Sequence, residues 1–324
     1  MPTPAIKTQS RLRSYSQKKS AGWAICLTAL SAVLLALPLA MSHHLITAAL
    51  NDTSFGQYLS SLGLRGAATG PKLMLWSWQH NDNLSHLDPT STGVSILAGR
   101  LTVKNGSIVF DRNMCTVQLP PGVYREAAVR LDIKAPGLSN DQSGGIDLAE
   151  KLSSKIVEVA LVGSRRISSV LIDFDARSSE RGFYTLLLRK VRAKLPASVK
   201  LNMTALASWC VGDNWISPAH LPVDQVVPML FSMGYGRAQI YQCLRKDSTL
   251  SSKSMAGRLA PGLSLQEPEA FELLGRRLTK YEHLYLFSSR GWNQYNYNRA
   301  LLLLQNNGFT VRKISHKQNQ VKTR

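Results

Sequence analysis

At 324 residues, with four cysteines and a net charge of +19, the chain is long enough to bury a substantial core without covalent staples. It contains no CxxC pair, which sets aside a zinc site or a disulfide framework. The basic excess suits anionic lipid, acidic polysaccharide or nucleic acid, but no zinc-finger, helix-turn-helix or RNP-type signature supports the last.

The first 20 residues carry Lys7, Arg11, Arg13, Lys18 and Lys19 and no acid. The run AGWAICLTALSAVLLALPLAM, residues 21–41, is uncharged and close to the ~20 residues with which a helix crosses a bilayer. It reads either as a signal peptide, with Ala40 and Ser42 fitting a cleavage site, or as an uncleaved anchor. Both readings keep the basic flank inside and send the rest out, so the folded part is expected in the periplasm or at the extracytoplasmic face of the inner membrane. The expected organisation is a basic segment 1–20, an anchor or signal 21–42, a linker 43–70, a folded domain 71–313 and a basic tail 314–324. Cys26 lies in the apolar run, leaving Cys115, Cys210 and Cys243; an oxidising compartment permits a Cys210–Cys243 disulfide, with buried thiols as the alternative.

After Pro71, strand-length apolar runs alternate with helical spacing. Strands are predicted at 73–78, 94–98, 127–133, 168–175, 199–209, 226–233, 284–289 and 309–311, with an inserted hairpin at 107–119. Leu148, Leu152, Ile156 and Val159 recur at helical spacing within 146–162; Phe183, Leu186, Leu187 and Val191 do so within 183–195. Ser178 or Ser179 can cap the second helix and Pro196 ends it. Further helices are predicted at 270–278 and 299–304. Eight strands with intervening helices point to an α/β fold, a TIM-like (β/α)8 barrel; an open doubly wound sheet is the alternative. Pro228 leaves 226–233 open to a helical reading as well.

The segment VLIDFDARSSERGFY, residues 170–184, is the richest in chemistry. On a strand, Leu171, Asp173 and Asp175 share one face while Ile172 and Phe174 share the other. Two carboxylates at the end of a buried strand are costly unless paired or put to use, and their mutual repulsion raises one pKa, as a general acid requires. A structural ion pair with Arg177 or Arg181 competes with that reading. In ALASWCVGDNW, residues 205–215, Asp213 is a third carboxylate or a turn residue, and Trp209 a sugar platform or core. Trp76 and Trp78 share a face of the first strand; Arg290 and Trp292 follow the one at 284–289. Each of these is a candidate for lining a sugar cleft or for simple packing. His80 and His86 lack metal-binding helical spacing, so no metal is assigned, and without a Walker loop, GxGxxG or GxSxG no cofactor is expected.

Four segments together resemble the bacterial family designated domain of unknown function 3142: LWSWQH at 75–80, IDFDARSSERGFY at 172–184, MTALASWC at 203–210 and LPVDQVVPMLFSMG at 221–234. The resemblance covers most of residues 72–293 and implies an exported protein with a glycosidase-like barrel and no assigned reaction. More distantly, the aspartate strand is similar to the DxxDxDxE strand of family-eighteen chitinases, with Arg177 standing where that family has its catalytic glutamate. The expectation is therefore a carbohydrate-active barrel using a pair drawn from Asp173, Asp175 and Asp213, with Trp76, Trp78, Trp209, Arg290 and Trp292 contacting an envelope or exopolysaccharide. The alternative is a membrane-tethered, non-catalytic scaffold that holds acidic polymers on its basic surface.

Overall fold

The computed structural model describes residues 72–104, 106–134, 143–162, 166–211, 215–216, 221–246, 250, 258–309 and 311. The expectations for the signal or anchor, the linker, Asp213 and the basic tail lie outside these residues. Among the described residues no helix is long and apolar enough to cross a membrane.

Eight parallel strands close on themselves. In ring order they are β1 (Leu73–Ser77), β3 (Thr92–Lys104), β6 (Arg125–Lys134), β7 (Ser169–Asp173), β8 (Lys200–Leu206), β9 (Gln225–Met229), β10 (Gly262–Ser264) and β11 (Leu284–Phe287). β1 completes the ring by pairing with both β11 and β3. The expected parallel barrel is what the chain builds. β1 and β7 are buried at every position, as parallel strands covered on both faces must be. Alternation along each strand divides the apolar side chains into two cores. Met74, Trp76, Ala128, Leu171, Val227, Ala260 and Tyr285 fill the barrel. Leu73, Leu75, Val129, Ile172, Leu201 and Val226 pack outward.

The outer layer holds α1 (Ser143–Leu161), α2 (Arg181–Lys194), α3 (Arg237–Lys246), α4 (Glu269–Leu274) and α5 (Gln294–Asn306). α1 buries Leu152, Ile156 and Val159, and α2 buries Phe183, Leu187 and Val191, the predicted stripes. Leu195 leaves the helical region just ahead of Pro196, which disfavours helix in the residue before it. Neither Ser178 nor Ser179 caps α2. Both lie in a 3-10 turn, and the Glu180 carboxylate accepts the Arg177 N–H at 2.7 Å.

Two strand expectations are corrected. Residues 262–264 form the seventh barrel strand, too short and too rich in small residues to announce itself. Phe309 is not in a strand; its N–H caps α5 by donating to the Leu304 carbonyl, and its ring lies under the Lys72 ammonium. The region around Pro228 is strand, not helix. Val226 and Leu230 donate toward the β10 side, to Arg258 and Gly262, and proline removes the donor between them. Cys115, Cys210 and Cys243 all carry thiols rather than a disulfide.

The hairpin occurs where predicted. β3 runs beyond the barrel and pairs antiparallel with β4 (Ser107–Arg112), while β5 (Val117–Gln118) pairs with β2 (Asp82–Asn83). A register shift between Leu97 and Gly99 lets β3 bend out of the ring. A Cβ on Gly99 would collide with the Phe110 ring and the Asp111 carbonyl. Gly99→Ala is therefore expected to lower stability by about 1–3 kcal/mol, read as a fall in the urea midpoint; an unchanged midpoint would show that the hairpin yields freely.

Candidate functional site

Asp173 ends β7, the fourth strand of the ring, and Asp175 follows at the mouth. Both turn inward as the alternation requires, while Phe174 packs outward against Tyr184 at 5.1 Å. They differ sharply in exposure: the Asp173 side chain is 1% exposed and that of Asp175 46%. Arg130, on the neighbouring strand β6 and in register with Asp173, joins them. Its Nη1 donates to Asp173 Oδ2 at 2.7 Å and its Nη2 to Asp175 Oδ2 at 3.3 Å. Thr204, on β8, donates to the other oxygen of Asp173 at 2.9 Å. Asp132 lies 3.7 Å from Arg130 Nε and itself pairs with Arg100 at 3.1 Å. The aspartates do form an ion-paired cluster, but with Arg130 rather than with Arg177 or Arg181.

Burial pushes the Asp173 carboxyl above the usual range. The Arg130 charge opposes that rise, Asp175 adds to it, and the Thr204 and Arg130 hydrogen bonds oppose it. Burial works against the Arg130 guanidinium too, but Asp173, Asp175 and Asp132 together raise its pKa.

Opposite the carboxylates is an aromatic wall. β7 is fourth in the ring and β11 eighth, so the two face each other, with β1 beside β11. Trp76, 2% exposed, lies 5.5 Å from Trp78, 5.6 Å from Phe231 and 6.4 Å from Phe287 between ring centroids. Phe231 and Phe287 stack at 5.2 Å. Gly262 makes room for this wall: a Cβ there would be 3.1 Å from the Trp76 indole. The indole N–H groups of Trp76 and Trp78 are buried and have no hydrogen-bond partner among the described residues. A buried donor without a partner costs about 1–3 kcal/mol.

The other sequence candidates are placed differently. Trp209 is buried outside the barrel wall, edge-on to Trp215 at 4.9 Å, with the Arg181 guanidinium over both rings. Trp292 is buried too; its indole N–H donates to the Trp76 carbonyl at 2.7 Å and its backbone N–H to Asp82 at 2.7 Å. It supports β1 from behind rather than lining the barrel. Arg290 is exposed on the turn after β11. Asp213 lies outside the described residues. The structure thus gathers Asp173, Asp175, Trp76 and Trp78 within the C-terminal half of the barrel and leaves Trp209 and Trp292 in its supports.

Arg130, Thr204, Phe231 and Phe287 are the site residues that the sequence reading missed. Arg130 was detectable: in the strand predicted at 127–133 it falls on the same face as Ala128 and Asp132, a charge where an inward residue belongs.

No protein-family model matches the sequence, and no curated protein matches it. Among solved structures, it is similar to the Bacillus cereus spore cortex-lytic enzyme SleL at 15% identity and a TM-score of 0.38, covering 61% of this chain and 52% of that one. It is similar to the chitinase domain of the Clostridium difficile spore coat protein CotE at 12% identity and 0.35, covering 68% and 66%. For the Bacillus megaterium spore cortex-lytic enzyme SleL the values are 11%, 0.43, 75% and 76%. The chain thus spans about half the length of the first of these proteins and under two thirds of the second. At such identities and TM-scores, residue roles follow from the geometry of the site alone.

Proposed function

We propose that the mouth of this barrel binds a polysaccharide outside the cytoplasm, an envelope or exopolysaccharide, and hydrolyses its glycosidic bonds. The observation that carries the reading is the pairing of surfaces at one barrel end. An aromatic wall faces an exposed carboxyl that Arg130 ties to a buried one. A sugar ring has an apolar face and a rim of hydroxyls, and both kinds of contact are on offer.

Asp175 is the carboxyl that meets the glycosidic oxygen. Arg130 holds one of its oxygens, and Asp173, fixed by Thr204, holds Arg130. Asp173 is in this scheme a positioning residue. The sequence offers Asp213 as the second carboxylate, and the separation of the pair sets retention or inversion. Wild-type protein incubated with bacterial envelope and exopolysaccharides is expected to release new reducing ends. Asp175→Asn should lower turnover by about 10²–10⁴-fold while binding persists. A demonstrated cleavage that survives Asp175→Asn would refute the assignment.

A non-catalytic polymer-binding role is favoured by one observation: a single arginine engages both aspartates, and Arg177 occupies the position where the chitinase pattern has its acid. Polymer bound equally by wild type, Asp173→Asn and Asp175→Asn, with no product from any, would establish that role instead.

A further inference from the structure

Two arginines stand at opposite points of the mouth. Arg177 follows β7, fourth in the ring, and Arg290 follows β11, eighth. Both side chains are exposed, and among the described residues neither guanidinium has a partner. Their backbones, in contrast, are fixed from beneath. The buried Glu180 carboxylate accepts the Arg177 N–H at 2.7 Å. The buried Ser288 hydroxyl accepts the Arg290 N–H at 3.3 Å, and Gln266 accepts the N–H of Ser289 at 2.9 Å. The turn closes at Gly291, whose φ of +69° and contacts with Asp82 and His80 admit no side chain.

Among the described residues, the nearby carboxylates are already engaged. Asp173, Asp175 and Asp132 pair with arginines; Asp82 accepts from Ser77 and Trp292; Glu180 and Glu267 accept backbone N–H groups. Unspent positive charge therefore sits at both ends of the line that crosses the aromatic wall and Asp175. The chain's net charge of +19 has the sign that draws a negative ligand in.

We infer that the polysaccharide bound in this mouth is anionic, carrying carboxylate groups that Arg177 and Arg290 grip on either side of the sugar seated at Asp175. This rests on the polysaccharide-binding reading above and supplies its substrate class. Planar guanidinium groups on fixed turns match the two oxygens of a uronic acid, and little ordering of the backbone is needed on binding.

The test uses purified protein with alginate, polygalacturonate and hyaluronan, each beside its carboxyl-reduced counterpart. Wild type is expected to bind at least one charged polymer, more weakly as salt rises, and to bind its reduced form poorly. Arg177→Ala and Arg290→Ala should each weaken binding of the charged polymer by about tenfold, with Arg→Lys retaining part of the affinity. Each should weaken binding of a reduced polymer far less than that of the charged one, and unchanged circular dichroism would show that both variants are folded. Equal binding of charged and reduced polymers, or indifference to both arginines, overturns the inference and leaves polysaccharide binding standing. Binding to no polymer of either kind overturns both.

Discussion

Replacing Arg130 by alanine is expected to abolish the polymer cleavage proposed for the mouth and to lower stability by on the order of 3 kcal/mol. Asp173 is 1% exposed, and without Arg130 its one partner among the described residues is the Thr204 hydroxyl at 2.9 Å. A carboxylate buried with one neutral donor is an uncompensated charge, so the group must take up a proton. Burial already holds this carboxyl above its ordinary range. Losing Arg130 removes the largest influence opposing that rise. The sign follows from linkage: an acid whose folded pKa exceeds its unfolded one binds more protons folded, so stability falls as pH rises between the two values. The cost of Arg130→Ala should therefore be smaller at pH 5 than at pH 8. Adding Asp173→Asn should recover most of it, since a neutral amide keeps a partner in Thr204 and has no charge to bury. Arg130→Lys should fail to rescue cleavage, because an ammonium cannot present two fixed N–H groups to two carboxylates at once. Urea denaturation at both pH values decides the matter. Equal losses at each, with no recovery in the double variant, would mean that Arg130 matters through packing alone.

The barrel was legible because its longest runs repeat with the right periods. VLIDFD opens on an apolar run of the kind a strand buried on both faces shows and then alternates through IDFD, and the stripes of α1 and α2 recur every three or four residues. What escaped was decided by neighbours. The strand Gly262–Ser264 has three residues and one large apolar side chain, so no periodicity can mark it; it exists because β9 and β11 leave a gap of one strand between them. Conversely, Phe309 follows Gly308 in an apolar patch that looks like a strand start, yet every ring position is taken. At the site, local pattern correctly turned Asp173 and Asp175 inward but could not say which cation met them. That depended on the parallel register that sets Arg130 beside Asp173, 43 positions away in the chain. Tryptophans were the least legible. Trp76 and Trp292 look alike in sequence, and only the ring order shows that one faces the barrel interior while the other braces the strand carrying it.

Glu126→Gln is expected to leave the fold within about 1 kcal/mol of wild type at acid pH, whereas Glu126→Leu should cost roughly 3–5 kcal/mol. Glu126 is fully buried inside the barrel on β6. One of its oxygens, Oε2, accepts from Asn202 at 2.6 Å, Ser169 at 2.9 Å and Tyr285 at 3.1 Å. Oε1 and the buried Asn202 Oδ1 have no close partner among the described atoms; the Ser95 hydroxyl, directly beside Glu126 in register, is near enough to help hold the carboxyl down but makes no well-formed hydrogen bond. Burial pushes the carboxyl up, more than the donors from Asn202, Ser95, Ser169 and Tyr285 pull it down. A proton on Oε1 turns an acceptor without a donor into a donor among acceptors, and a glutamine amide does the same permanently. Leucine fills a similar volume but takes away the oxygen that three donors share, leaving Tyr285 only Gln225 at 3.2 Å and Asn202 only the Tyr285 hydroxyl at 3.4 Å. Glu126 does not serve the carboxylate site: the inward pair Ala128 and Leu171 lies between its layer and that of Asp173. Its effect should appear in stability rather than turnover. As with Asp173, the folded pKa lies above the unfolded one, so the contribution is whole below the unfolded pKa and is lost as pH rises through the folded value. The difference between glutamine variant and wild type should accordingly favour the variant increasingly as pH rises. Denaturation midpoints from pH 4 to 9 would show it. A glutamine variant as damaged as the leucine one, or a wild type that gains on it with rising pH, would mean that the barrel holds Glu126 as an anion.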